Sequence, residues 1–213
     1  IWPSNLRTAG AAGVSGGPQT NVIAFEPEVG PSINRRRASV IHRTYTVSFP
    51  LLTRAEYDLF QTFFHDTLAD GSLPFRTLHP MTGEWHRCRI VRGSDRAYTE
   101  TRVTPDLYSL QFSMMVMDRL TVPGVFTVDK WSIAPGDTLA SVTINSLPIS
   151  GGEPITDIEY QLDGGAWVSS GGIVSFNITT LTNTQTYDVR LRAVNIFGAG
   201  AQSDMKQVTP ASP

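Results

Sequence analysis

Four histidines, one cysteine, two close acidic pairs and an arginine cluster are the residues of this chain whose types and spacing could do chemistry. His42, His65, His79 and His86 are the only imidazoles, and a zinc site needs three or four donors at ligand spacing. Only His65-Asp66 and His86 with Cys88 come near that pattern, so neither a metal nor another cofactor is expected. Cys88 stands alone, which excludes an internal disulfide and marks it as a small core residue. Glu26 with Glu28, and Asp157 with Glu159, place two carboxylates on one face of a strand, as a glycosidase pair would need. Around them stand only isolated aromatics, and solvated strand edges account for both pairs. No serine sits in a nucleophile elbow. The expectation is therefore a protein without catalytic residues, not an enzyme.

Two further groups point to binding. Arg35, Arg36 and Arg37, with Arg43, could meet phosphate. Adjacent residues of a strand alternate between faces, however, and salt bridges to a neighbouring subunit explain the cluster as well. An inter-subunit contact is the expected role. Tyr160, Asp163 and Trp167 could form a shallow surface that touches glycans weakly and gains avidity from repetition. The competing reading, in which Tyr160 is core and Trp167 caps a hairpin, is favoured because aromatics commonly pack sandwich hairpins.

Whatever these groups do, β-rich elements must hold them. The 213 residues suit two small domains better than one, and 40% apolar against 17% charged residues is enough for a core. Residues 1 to 120 hold 13 Arg and no Lys against 11 acids, and residues 121 to 213 hold two Arg and two Lys against eight acids. Neither part is basic enough for a nucleic-acid footprint. Arginine without lysine suits ion pairs held at a protein interface. No apolar run reaches the length of a membrane span, and Ile1-Trp2-Pro3-Ser4 lacks the start of a signal peptide, so assembly in a cytosol is expected.

Ala9 to Gln19 is Gly-, Ala- and Ser-rich without apolar period, which predicts a mobile arm that orders only against a neighbour. Tyr45, Val47 and Phe49 alternate as one face of a strand, with Pro50 closing it. Thr53-Arg54-Ala55-Glu56 reads as a capping box. The helix it opens carries Tyr57, Phe60, Phe63, Phe64 and Leu68 on one stripe, must lie against a sheet, and ends at Asp70-Gly71. Strands are predicted at Leu73 to Leu78, Trp85 to Val91, Tyr98 to Val103 and Tyr108 to Met117, with turns at His79 to Gly83, Asp95 and Pro105-Asp106. Leu120 to Gly124 reads as a linker. Beyond it, short runs punctuated by Gly, Pro, Asn and Asp predict a sandwich, with strands at Leu139 to Leu147, Ile155 to Leu162, Ala166 to Val168, Ile173 to Ile178 and Tyr187 to Val194. Asp163-Gly164-Gly165 supplies a tight hairpin.

Three stretches of residues 124 to 213 resemble fibronectin type III domains: Gly151 to Thr156 leading into Tyr160; Leu181-Thr182-Asn183 before Thr186-Tyr187; and Arg190 to Asn195 ending in Gly198-Ala199-Gly200. The resemblance puts Tyr187 at the family's corner tyrosine, whose hydroxyl ties a loop to the backbone. It does not say whether Trp131 or Trp167 is the family's early tryptophan. Residues 21 to 119 look like the distal tail and lambda-type minor tail proteins of long-tailed bacteriophages. The likeness lies in the order of motifs: the Arg-bearing turn Gly30 to Arg37, the strand Arg43 to Phe49, a capped aromatic helix with Phe63-Phe64, Leu73-Pro74-Phe75, a basic strand through Trp85, and Tyr108 to Met117. It implies a mainly β chain, residues 1 to 120 forming a tail-tube-like β-sandwich or barrel with one packed helix and residues 124 to 213 a fibronectin type III-like, immunoglobulin-like sandwich that decorates it. It also implies a virion tail protein, assembled in the host cytoplasm, that forms a homo-oligomeric ring, usually a hexamer. Such a ring joins the tail tube to the tip or baseplate, with tail tube protein, tip and hub proteins and host surface glycans as partners and DNA only in passage. The alternatives are the major tail tube protein and a carbohydrate- or cell-surface-binding module.

Overall fold

The alternation that opens at Tyr45 is the start of a strand that the sequence signal underestimates. The structure, a computed structural model, describes residues 1–8, 13–18, 22–25, 28–29, 33–36, 42–93 and 95–212. It is mainly β, and the chain divides into two units, Ile1–Arg119 and Leu120–Pro213.

In the first unit, β1 (Gly13–Pro18), β4 (Arg43–Thr53), β5 (Phe75–Leu78), β6 (Trp85–Val91), β7 (Tyr98–Thr104) and β8 (Leu107–Arg119) form one six-stranded sheet. The strand order is β1-β4-β8-β6-β5, with β7 also on β8, and every pairing is antiparallel. A separate ribbon, β2 (Val22–Phe25) with β3 (Ile33–Arg36), interrupts the chain between β1 and β4. Pro50 does not close β4. The strand continues to Thr53 through an irregularity between Phe49 and Leu52, where an exposed proline costs no ladder bond.

Helix α1 (Arg54–Thr62) begins at the expected capping box: Glu56 N–H donates to the Thr53 hydroxyl at 3.3 Å, and Thr53 N–H donates to the Glu56 carboxylate at 2.9 Å. A π-helical turn, Phe63–Thr67, follows it directly. The wider turn lets Phe63 and Phe64 join Phe60 and Leu68 in the core. Ala69, Asp70 and Gly71 then take positive φ and stop the helix. This helical layer covers the sheet face formed by Tyr45, Val47, Phe49, Leu52, Leu110, Phe112 and Met114; among the described residues no second sheet does so.

The N-terminal segment completes this core, a role that no periodicity around Trp2 signals. Trp2 and Leu6 are buried, and the Trp2 ring lies 5.4–6.4 Å from those of Phe49, Phe60, Phe63, Phe75 and Phe112. Trp2 N–H donates to the Arg76 carbonyl at 2.8 Å, extending the β5 edge. Arg7 donates to the Leu51 carbonyl and pairs with Glu56 at 3.0 Å, which holds the Glu56 carboxyl below its ordinary range against the opposing effect of burial. The expected arm also changes: Gly13–Pro18 is a paired strand, and residues 9–12 and 19 lie outside the described residues. Gly16 makes the pairing feasible, because its φ is 143° and any Cβ there would overlap the Thr44 carbonyl.

The second unit packs a three-stranded sheet, β9 (Trp131–Gly136), β10 (Leu139–Ile144) and β13 (Phe176–Ile178), on a five-stranded one. The latter holds β11 (Ile155–Leu162), β12 (Trp167–Ser169), β14 (Tyr187–Asn195), β15 (Gly198–Ala199) and β16 (Lys206–Val208). Trp131, Val142, Ile158, Ile178, Val189 and Leu191 meet between them. Trp131, at 1% exposure, is thus the core tryptophan, and its strand was not anticipated. The corner tyrosine is present, the Tyr187 hydroxyl accepting from Thr182 N–H at 2.9 Å. Asp163 and Gly164 take positive φ in the hairpin, as their types require. The unit is a fibronectin type III-like sandwich.

Two stability measurements check these cores. Trp2→Ala removes five ring contacts and is expected to destabilise the first unit by about 3–5 kcal/mol in denaturant unfolding. Tyr187→Phe is expected to lower the second unit's stability by about 1 kcal/mol, the worth of one hydrogen bond.

Candidate functional site

Since strands expose alternate residues on opposite faces, the buried set of the first unit defines its other face. The register brings Ser15 opposite Thr46, Thr46 opposite Ser113, Ser48 opposite Gln111 and Thr44 opposite Met115. The middle of that face is hydroxyl and amide. Toward β5 and β6 its character changes, for Arg76 stands opposite Arg87, Leu78 opposite Trp85, and Arg89 opposite Met115. Among the described residues, no carboxylate lies on this face of β4, β5, β6, or β8 as far as Met117. Arg89 also donates to the Ser72 carbonyl at 3.1 Å, and with Met115, Val91 and the Ala69 to Ser72 turn it borders an open groove of about 660 Å³.

The ribbon β2–β3 is the second element of the site. It pairs with no other strand among the described residues, Phe25 is 63% exposed and Val29 is 91% exposed. An isolated two-stranded hairpin is at best marginally stable in water. Its length of chain and its apolar tip therefore call for a surface to lie on.

The arginines expected at a subunit contact are divided between these elements. Arg35 and Arg36 belong to β3 and not to a turn, because Ile33–Arg36 pairs residue by residue with Val22–Phe25. Arg35 is exposed, and Arg37 lies outside the described residues. Arg43 opens β4 opposite Val116 and lines a cavity of about 220 Å³ with His79, Glu84 and His86. Arg35 and Arg43 thus stand on different elements. Of the acidic pair, Glu28 is exposed and Glu26 lies outside the described residues.

The proposed glycan surface of Tyr160, Asp163 and Trp167 is not assembled. Tyr160 pairs with Val168 and Trp167 with Gln161, which puts the two rings on opposite faces of the sheet. Tyr160 stacks on Phe176 at 5.5 Å, at the edge of the core. Trp167 lies under the Arg192 guanidinium at 4.2 Å, and Arg192 pairs with Glu159 at 2.6 Å, so that ring face is occupied. Asp163 accepts from Asp188 N–H and fixes the hairpin. Asp157 likewise serves a loop, accepting from Gly172 N–H and the Ser169 hydroxyl.

His65 and His79 each serve a local hydrogen-bond network. His65 binds Asp70 at 2.6 Å and Gln61 at 3.1 Å; Gln61 meets Tyr98 and Glu100, and Tyr57 donates to Glu100 at 2.6 Å. This chain of bonds braces the helix against β7, and burial together with the Glu100 bond pushes the Tyr57 phenol up. Cys88 is fully buried, with its thiol pushed up to about 12 by burial, which leaves it unreactive. Among the described residues no three His, Cys, Asp or Glu side chains converge on a metal position, and no helix is long and apolar enough to cross a membrane.

His79 is the one buried imidazole. Its Nδ1 accepts from Met81 N–H at 3.1 Å and Thr82 N–H at 3.2 Å, and its ring lies 5.2 Å from Tyr45 and 5.1 Å from His86. A proton on Nδ1 would break both bonds of the β5–β6 turn. Burial, then His86, then Arg43 lower its pKa, with Glu84 opposing them.

No protein-family model matches the chain, and no curated protein matches it. Solved structures that resemble it are fibronectin type III domains and their relatives. The sixth such domain of human fibronectin type III domain containing protein 3 has a TM-score of 0.36 at 21% identity, covering 44% of this chain and 90% of that one. The third fibronectin III domain of human KIAA0343 protein gives 0.34 at 15%, covering 43% and 86%. Domains d3-d4 of the rat CD45 extracellular region give 0.35 at 14%, covering 55% and 65%.

Because the fold holds His79 neutral, the unfolded chain takes up the proton first. The stability His79 contributes is then complete above about pH 6.5 and falls as the pH drops below it. His79→Asn, whose Oδ1 can accept the same two bonds without titrating, should flatten this acid dependence; unfolding midpoints measured between neutral and mildly acid pH check it. An unchanged slope would remove His79 as the cause.

Proposed function

We propose that this chain is a structural subunit of a long-tailed bacteriophage tail, a distal tail protein whose first unit closes into a ring, with the fibronectin type III-like unit as its decoration. The reading places it in the virion, between tail tube and tip proteins, after assembly in the host cytoplasm. The observation that carries it is the β2–β3 ribbon, which bears exposed Phe25 and Val29 and lies outside the six-stranded sheet. An element that cannot stand alone is completed by a neighbour, and repetition of one head-to-tail contact through a fixed rotation closes a ring. The sheet face supports the same reading. Serine, threonine and glutamine side chains on β4 and β8 give an uncharged wall beside a strip of arginines, suited to subunit packing around a passage. Motif order along residues 21 to 119 adds the phage resemblance, and catalysis has no part in the proposal.

Negative-stain images and native mass spectrometry of the purified full chain are expected to show a closed ring, hexameric on this reading, and counting in purified virions is expected to give one ring per particle. Dozens of copies per particle would instead make it the major tail tube protein. Replacing Phe25 and Val29 together by Ser is expected to leave single subunits whose unfolding is unchanged. A wild-type chain that stays monomeric and never enters a virion overturns the proposal.

A further inference from the structure

One end of the first unit's core is finished with nitrogen donors instead of apolar side chains. We infer that the cavity of about 220 Å³ at the β5–β6 turn, walled by Arg43, His79, Thr82, Glu84 and His86, binds a small oxyanion of the phosphate class. The inference does not depend on the ring reading.

Strand alternation brings these groups together. Arg43 lies two residues before buried Tyr45 on β4, and His86 stands opposite buried Thr77 across β5 and β6, so both continue the core face to its open end. His79 follows Thr77 by two residues, is 5% exposed and packs its ring against Tyr45. Because its Nδ1 accepts from Met81 and Thr82 N–H, the neutral ring carries its proton on Nε2. Among the described residues that N–H meets no acceptor, and none of their polar side-chain atoms is both sealed from solvent and unpartnered, so Nε2–H opens to the cavity. The turn thus fixes a donor in the cavity wall and leaves its acceptor to be supplied from outside. Arg43 borders the same space without an ion pair among the described residues, and the guanidinium fork matches the geometry of phosphate. Thr82 adds a hydroxyl. Glu84 is the one carboxylate of the wall, and Arg119 pairs with it at 2.7 Å, which leaves the Arg43 charge uncompensated. After burial and His86, that charge is what lowers the His79 pKa, so guanidinium and imidazole share one positive field, which repels a cation. Pockets for drug-sized ligands start at about 300 Å³, so this one suits a small ion and not a nucleotide.

Histidine side-chain NMR signals of the full chain decide it, followed while sodium phosphate replaces sodium chloride at constant ionic strength and neutral pH. The ring signals of His79 and His86 are expected to move along a saturating curve with a midpoint in the millimolar range or below, while those of His65 stay in place. Arg43→Gln, at an exposed position, is expected to fold as the parent does and to weaken binding at least about tenfold. Arg43→Lys keeps the charge, loses the fork and should fall between the two. His79→Asn keeps both turn bonds through Oδ1 but lacks the Nε2 donor, and its His86 signals should no longer respond. As an independent measure, phosphate should raise the unfolding midpoint of the parent by mass action and leave that of Arg43→Gln behind. A drift that never saturates, or one equal in the Arg43→Gln chain, reflects the general action of phosphate on protein surfaces and overturns the inference. A His79→Asn chain that binds as the parent does overturns it as well.

Discussion

The first unit depends on β8. Its thirteen residues pair with β4 along one edge and with β6 and β7 along the other, so three strands take their register from it. Tyr108, Leu110, Phe112, Met114 and Val116 all enter the core from one face. A slip of one residue against β4 would send those five side chains out and bring Ser109, Gln111, Ser113, Met115 and Met117 in. The same alternation determines the outer face, which means that the core and the candidate interface are two sides of one constraint. Neither can change register without the other.

Covering the inner face is then a matter of volume. A nine-residue α-helix is short for a six-stranded sheet, and the π-helical turn answers this by bringing Phe63 and Phe64 inward together. Trp2 fills what remains, with Arg7 tying the N-terminal segment to Glu56 at the helix cap. Helix capping, the end of β4 and the N-terminus are therefore joined at one carboxylate, which accepts from Thr53 and Arg7 at once. Loss of that carboxylate would loosen all three.

What could be read from sequence was whatever side-chain periodicity encodes. The capping box, the aromatic stripe, β8, the β11 hairpin and Tyr187 were legible because each is a pattern of side chains. β1 was not, since Gly13–Pro18 is held by backbone pairing and its Gly16 signals only that something lies close. Trp2 stands in no repeat. The glycan surface failed for a sharper reason. With Asp163-Gly164-Gly165 as the hairpin loop, Tyr160 pairs with Val168 and Trp167 with Gln161, so strand alternation puts the two rings on opposite faces. For the arginines, closeness in sequence between Arg35 and Arg43 hides the boundary between ribbon and sheet, which puts the two on different elements.

On the proposed ring reading, the ribbon's weakness would set the energetics of assembly. A two-stranded hairpin that orders only on contact spends part of the contact's free energy on its own ordering, so each docking event is weak taken alone. Closure changes the balance. In an open chain of subunits the last contact is intramolecular, formed at an effective concentration far above that of free protein, and breaking one contact in a closed ring releases nothing. If the proposed ring forms, individually weak ribbons would permit reversible encounter and correction while it is incomplete, with stability appearing only at the last subunit. A rigid, fully buried arm would fix the first mistaken contact as firmly as a correct one.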